Sequence, residues 1–450
     1  MQYCNRVWYA AAAPDWRTRG GGGTIQPGMC QAGSRKGRVM SKNKQGRRII
    51  QVGKTIIGPP EPRSSTVRAR RLADYPQVTA AHLAVAKRLS SPMLLGPPIC
   101  DELVALVEHT FTEEEADVVR RLKTLSGRTA RRVARAARRP VDEIEPILDR
   151  VAFGKRTIAG EGPAGARRYR LMPIIPGIYE MVLISESPEN LSEWHRRFAE
   201  LVEALYDTGY LLQYQDRQVP MVRFLPVGRA VGTHPAALPS DKLEPVLDRF
   251  ETFAVGNCQC RISAHVKGQP CGKPLLVCTA MGKWAELAVE GGYMRRVSKQ
   301  NLLEIKREAE SHGLVTWFMN VRSTDSQASC SCCGCCCKAM RVVNEFSAPG
   351  MMAPPHFMPQ FDRDYCTCCG QCAVSCPMGA ITVDTEQKTI THQPARCIGC
   401  GQCMLACDRY QAIRMEPVPE YRLPYRSWLS LILRNAPGTV KTLWKAWRSR

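Results

Sequence analysis

Three observations predict an α+β, multidomain chain. Apolar residues recur at helical spacing through residues 76–175 and end in a Gly-rich basic hairpin. Ten cysteines crowd residues 258–337 among mixed helix and strand patterns. Beyond residue 366, two short cysteine runs flank a pair of β-branched strands. At 450 residues the chain is too long for one domain. The pattern divides it into residues 1–75 (a disordered basic tail), 76–175 (a helical module), 176–345 (a cysteine-rich α/β middle region), 350–418 (the paired cysteine runs) and 419–450 (a basic amphipathic tail).

Residues 1–75 are rich in Gly, Arg and Ser, with Gly20–Gly23 and Pro59-Pro60, and carry little apolar periodicity. Met40-Ser41-Lys42-Asn43-Lys44 reads as a more ordinary translation start. Cys4 and Cys30 lie before it in no motif. In 76–175, Thr112-Glu113-Glu114-Glu115 is a capping box ahead of Ala116, Val118, Val119 and Leu122. Thr129–Ala137 is a second helix, broken by Pro140. Val141–Phe153 is a third, with Val141, Ile144, Ile147, Leu148 and Val151 on one face. A hairpin around Gly160–Gly165 leads into Tyr169 and Leu171. Helix, helix, helix, wing is winged-helix-like order. Arg128, Arg131, Arg132, Arg135, Arg138, Arg139, Arg167 and Arg168 would suit phosphates. The helix placed to enter a groove, however, carries Asp142, Glu143, Glu145 and Asp149 against Arg150, which would repel them. No specific nucleic acid is expected, and the module reads as structural or docking.

The net charge of +22 is uneven. Residues 1–75 hold fifteen Lys/Arg and three Asp/Glu, and 421–450 hold seven Lys/Arg and no acid, whereas 358–418 have a net charge of −1. The basic balance belongs to the tails, not to a nucleic-acid-binding fold.

In the middle region Leu191–Leu205 reads as an amphipathic helix and Val219–Val227 as a strand. Ser240–Phe253 reads as a helix running into Cys258-x-Cys260-Arg261, and Ser298 caps a helix bearing Leu302, Leu303 and Ile305, with Gly313 past its end. Cys258, Cys260, Cys271 and Cys278 fall within twenty-one residues, and Cys330, Cys332, Cys333, Cys335, Cys336 and Cys337 within eight. Packing does not account for so many small thiols, and adjacent thiols oxidise unless metal holds them. One or two further iron–sulfur clusters are expected here, with a structural zinc site the alternative for the first group.

The C-terminal runs are Cys366-x2-Cys369-x2-Cys372-x3-Cys376-Pro377 and, twenty-one residues on, Cys397-x2-Cys400-x2-Cys403-x3-Cys407. Three thiolates at that spacing wrap one 4Fe–4S cube, and the fourth points to the other. Cluster one is assigned Cys366, Cys369, Cys372 and Cys407, and cluster two Cys397, Cys400, Cys403 and Cys376. Zinc knuckles want CxxC pairs across a longer loop, and no His stands in ligand register.

These residues resemble the bacterial-type dicluster ferredoxin domain over about Pro359–Pro417. Ala380–Val383 and Thr389–Thr391 read as its short strands, and Gly370, Gly399 and Gly401 sit between ligands. Asp408 stands where that pattern has Pro, and Cys368 is an extra thiol. Residues 76–450 also resemble multi-cluster ferredoxin-like proteins of anaerobic bacteria, through Cys258-Gln259-Cys260-Arg261, Gly268-Gln269-Pro270-Cys271, Cys278, His312-Gly313-Leu314-Val315, the Cys330–Cys337 string and the dicluster tail. The resemblance implies anaerobic metabolism and a polyferredoxin carrying low-potential electrons.

An electron carrier is therefore expected, handing electrons to redox protein partners or to an oxidoreductase complex. The alternatives are a redox-responsive winged-helix regulator and an active-site subunit of an oxidoreductase. No G-x-G-x-x-G, P-loop or hydrolase signature is present, so no catalytic residue is assigned. The eight histidines (82, 109, 195, 234, 265, 312, 356, 392) are isolated. No apolar run reaches the ~20 residues of a membrane span, and no signal peptide is read, which places the chain in the cytoplasm. In the tail, Trp428, Leu429, Leu431, Ile432 and Leu433, then Val440, Leu443, Trp444 and Trp447, alternate with Lys441, Lys445, Arg448 and Arg450. Peripheral contact with the inner face of the membrane through 421–450 is one expectation, and docking on the protein's own domains or on a partner is the other.

Overall fold

Helix caps set out the first module. In this computed structural model, which describes residues 50–448 except Leu125, 215–218, Ser323, Pro349 and Met351, Thr112 opens the helix Glu113–Val119 with the expected capping box. The Glu115 N–H donates to Thr112 Oγ1 at 3.3 Å, and Thr112 N–H donates to Glu115 Oε2 at 2.9 Å. Of Met93 and residues 439–448 only the backbone is described. The helices Ala80–Leu89, Asp101–Thr110, Ala130–Ala137 and Val141–Asp149 surround a shared core including Leu89, Leu103, Val107, Phe111, Val133 and Leu148. Each such side chain contributes about 1.5–3 kcal/mol on burial. The third helix is shorter than its periodicity suggested. After Asp149 the ladder widens over Arg150–Gly154, where Lys155 N–H reaches back to the Arg150 carbonyl. The hairpin strands Ile158–Glu161 and Arg168–Leu171 pair antiparallel, and Arg128–Thr129 adds to the second. The amphipathic helix Glu193–Asp207 joins this core through Phe198, Leu201 and Val202.

The middle region is built on a six-stranded sheet. Its order is Val222–Phe224, Val315–Met319, Ser326–Cys332, Leu276–Gly282, Phe253–Asn257 and Arg295–Val297, antiparallel throughout. The α/β expectation is corrected to α+β: the loop from Met319 to Ser326 is too short for the crossover that a parallel pair needs. The helix expected over Ser240–Phe253 is also corrected. Helix covers Leu243–Leu247, and Phe253–Asn257 is a buried strand, because its apolar run pairs on both edges. The helix Lys299–Ser311 is capped by Ser298 as expected and buries Leu302 and Leu303.

The last region has two small sheets. Ile381–Asp384 pairs with Thr389–His392, and Phe357–Phe361 with Ile413–Pro417. Residues 50–75 were assigned to a disordered tail, but Gln51–Val52 and Ile56–Gly58 form a hairpin whose second strand pairs with Ile381–Asp384. Burial of Ile57 beside Val383 and Ile390 supplies the order that local composition lacks. Cys4, Cys30 and the Met40 start lie outside the described residues.

The C-terminal helix Trp428–Arg448 contains Pro437. Its first turn is docked: Leu431 is buried with Val321, and Trp428 donates to Thr324 Oγ1 at 3.0 Å. Leu429, Ile432 and Leu433 are exposed. The side chains from Val440 onward, including Trp444 and Trp447, fall outside the description. No helix among the described residues is long and apolar enough to cross a membrane.

Candidate metal centres

The two cysteine runs fold into mirrored loop–helix units. Gly370 opens the helix Gln371–Ser375 and Gly401 opens Gln402–Ala406, both at φ 79°, a left-handed value that suits glycine. A Cβ on Gly370 would stand 2.3 Å from Ile57 Cδ1, and one on Gly401 2.4 Å from Ala230 Cβ. Neither loop could approach its neighbour with a larger residue.

Two cavities lie beside these loops. One is lined by Cys366, Cys369, Cys372 and Cys407, with Cys368 and Ile413. The other is lined by Cys376, Cys397, Cys400 and Cys403, with Ile381 and Ile398. Each therefore draws three cysteines from one run and the fourth from the other. Four thiols around an apolar void are a fitting donor set for an iron–sulfur cube. The first cavity is the outer one, since Cys369 is exposed whereas Cys376, Cys400 and Cys403 are buried. Backbone N–H groups turn toward sulfur: Ala380 donates to Cys376 Sγ at 3.3 Å and Gly399 to Cys397 Sγ at 3.4 Å. Burial pushes the Cys372 and Cys397 thiols up to about 12, so metal must displace their protons to bind. Asp408 is exposed. Cys368 has φ 52° at the position that Gly399 occupies in the other run, and its Sγ lies 3.9 Å from Cys366 Sγ.

The ten upstream cysteines divide in two. Cys271, Cys333, Cys335 and Cys336 place all four Sγ within 4.8 Å of one another. The other six form a chain of neighbouring thiols, from Cys258 through Cys260, Cys337, Cys332 and Cys330 to Cys278. Its last pair is 3.7 Å apart. Both groups converge on the turn between the strand Ser326–Cys332 and the helix Lys338–Phe346.

Sequence reasoning missed the cations around them. Lys306 is fully buried, its Nζ donating to Ser329 Oγ at 2.9 Å and Ser331 Oγ at 3.3 Å. Burial lowers its pKa to about 8, while Cys330, Cys278 and Cys332 pull it back up. Lys338 is likewise pushed down to about 8 by burial, opposed by its contact with Glu203. Arg261 donates to the carbonyls of Pro274 and Ser331, each at 2.9 Å, and its Nη2 lies 3.8 Å from Cys333 Sγ. The spacing of a lone Lys or Arg gives no sign of such placement. Only Arg261, inside the Cys258-x-Cys260-Arg261 motif, had a sequence signal.

The two territories meet. Asn344 Nδ2 donates to the Gly334 carbonyl at 3.1 Å and to the Pro377 carbonyl at 2.9 Å, and a Cβ on Gly334 would stand 1.9 Å from that Pro377 oxygen. Cys332 and Cys337 share one apolar cluster with Cys372, Cys376, Cys400 and Cys403. The histidines take ordinary roles; His82, for example, is within 2.8 Å of both Thr79 Oγ1 and the Phe111 carbonyl.

Residues 365–419 match the family model of the 4Fe-4S dicluster domain. The C-terminal region is accordingly a dicluster ferredoxin-like domain that binds 4Fe–4S clusters, with the general electron-transfer role of such domains. No curated protein and no solved structure matches the chain.

Proposed function

We propose that the chain is a polyferredoxin, carrying low-potential electrons between redox protein partners. The observation that supports it best is the crosswise lining of the two cavities: Cys366, Cys369, Cys372 and Cys407 line one, and Cys397, Cys400, Cys403 and Cys376 the other. Each 4Fe–4S cluster, when bound, takes up and releases one electron. The chain supplies thiolate ligands, N–H donors to sulfur and an apolar wall that keeps water off. Electrons enter or leave at the exposed Cys369 and Tyr365 face and pass inward toward Cys376, whose neighbour Pro377 abuts the upstream cysteine turn. The six-thiol chain, faced by Lys306 and Lys338, is the candidate for a further iron–sulfur cluster.

Iron and acid-labile sulfide counted on anaerobically purified full-length chain test the reading. Cys403→Ala should lower both by about four per chain, the content of one cube, while the other cluster remains visible by EPR after dithionite reduction. Zinc without sulfide at these residues would overturn it.

A second reading, a redox-responsive winged-helix-like regulator, has one observation in its favour. Lys123, Arg128, Arg132, Arg135 and Arg168 line one open groove that no carboxylate lines among the described residues. Two of the four acids of the adjacent helix are engaged instead, Glu143 with Arg139 at 3.0 Å and Asp149 with Arg167 at 2.7 Å. A duplex-DNA shift lost on Arg132→Ala would favour it.

A further inference from the structure

The upstream quartet differs in scale from a cluster site. Bonds of ~2.3 Å at tetrahedral angles place thiolates roughly 3.8 Å apart around a single ion. Cys335 Sγ and Cys336 Sγ are 3.7 Å apart, and no pair among Cys271, Cys333, Cys335 and Cys336 exceeds 4.8 Å. A cube holds its thiolates at the corners of a larger tetrahedron, because four irons and four sulfides stand between them. The molecule carries its own control. Among the described residues this is the one group of three or more potential ligands drawn within 4.8 Å; no three of the eight dicluster cysteines come so close.

We propose that Cys271, Cys333, Cys335 and Cys336 bind one tetrahedral metal ion, zinc or iron, in a closed tetrathiolate site. Four metal–sulfur bonds form and four thiol protons leave to solvent, with no change of oxidation state. Four protein ligands leave no open position, so the site organises structure. Its work is to pin the loop carrying Cys271 against the turn that follows Ser326–Cys332. Arg261 braces the same two segments through Pro274 and Ser331, and places positive charge 3.8 Å from Cys333 Sγ, where a dianionic centre needs it. Cys333 and Cys336 are buried, while Cys271 and Cys335 are half-buried, which leaves the ion a way in. The inference does not rest on the dicluster reading, and its signature is separate: one ion without sulfide.

The full-length chain, purified anaerobically, tests it through metal content, acid-labile sulfide and X-ray absorption. Wild-type protein should hold one ion beyond those matched by sulfide. If that ion is zinc, its absorption edge should show about four sulfurs at ~2.3 Å and no metal neighbour. If it is iron, Mössbauer spectra should show a mononuclear tetrahedral component apart from the cubes. Cys271→Ser and Cys335→Ser should each remove that ion and leave sulfide unchanged. Loss of iron and sulfide together in equal amounts would overturn the proposal in favour of a cube. So would a wild-type chain with no such ion and two disulfides by mass. Because the spectroscopy uses wild-type protein, a variant that fails to fold does not shield the idea.

Discussion

The chain holds metal-type cysteines in two territories that meet their charge in different ways. In the dicluster region sulfur receives backbone N–H groups, from Ala380 and Gly399, supplied by the loops that carry the ligands. In the upstream region the thiols face buried side-chain cations, Lys306, Lys338 and Arg261, drawn from three separate helices. The first solution is local, since each donor lies within four residues of the sulfur it serves. The second needs the tertiary fold, and it binds the metal region to the helical core: Lys338 and Arg341 both reach Glu203, and Arg341 also holds Asp207 at 2.8 Å.

The largest effect that would break this contrast concerns Lys306. Removing one partner of a buried charge pair costs about 3–5 kcal/mol, whereas removing a lone buried charge is neutral or stabilising. Lys306→Met should therefore destabilise the metal-loaded chain by about 3 kcal/mol in anaerobic urea unfolding, with dicluster absorbance intact at low urea. A stabilised variant would mean that the upstream thiols carry no negative charge.

A second test uses pH. Burial raises the Glu180 pKa to about 7, against the Gly177 N–H that donates to its carboxylate at 2.6 Å and with Cys330 pushing the same way. The folded state then keeps a proton that the unfolded state has released. The associated stability is complete below the ordinary glutamate range and is lost as pH rises through about 7. Unfolding free energy should fall between about pH 4.5 and 7 and level off above that, and Glu180→Gln should flatten the slope. An unchanged slope would remove Glu180 from the account.

The smallest effect belongs to Cys368. Its left-handed backbone, where the sister run has glycine, costs on the order of 1 kcal/mol. Cys368→Gly should raise stability by about that much and keep both dicluster iron contents. Loss of iron would make Cys368 a ligand, and the symmetry between the two runs would fail.

How much of this was legible in the sequence depended on range. The caps at Thr112 and Ser298 and the hairpin Ile381–His392 are set by residues within a few positions, and they fall where the pattern places them. The crosswise lining of the two cavities was legible because the motif itself encodes which thiol reaches across. Grouping the upstream ten was not, because Cys271 meets Cys333 only through the sheet that joins their loops. The helix read over Ser240–Phe253 ran past its true end at Leu247 and into the first residue of the strand Phe253–Asn257, because a short apolar run carries no period of its own. Residues 51–58 looked disordered because Ile57, among Gly, Lys and Thr, buries nothing until the strand Ile381–Asp384 covers it, and Ile56 stays exposed even then.

That hairpin also sets a clock. Thr385 donates to the carbonyl of Thr55, 330 positions earlier. At ~5–20 residues per second of synthesis, the early strand waits on the order of half a minute for its partner to emerge. Through that interval Ile57 has only its hairpin partner Val52, because the strand Ile381–Asp384 that covers it has not yet been made. The first described segment and the last metal-binding one are thus completed together, and a ribosome that stalls before Val383 leaves both undone.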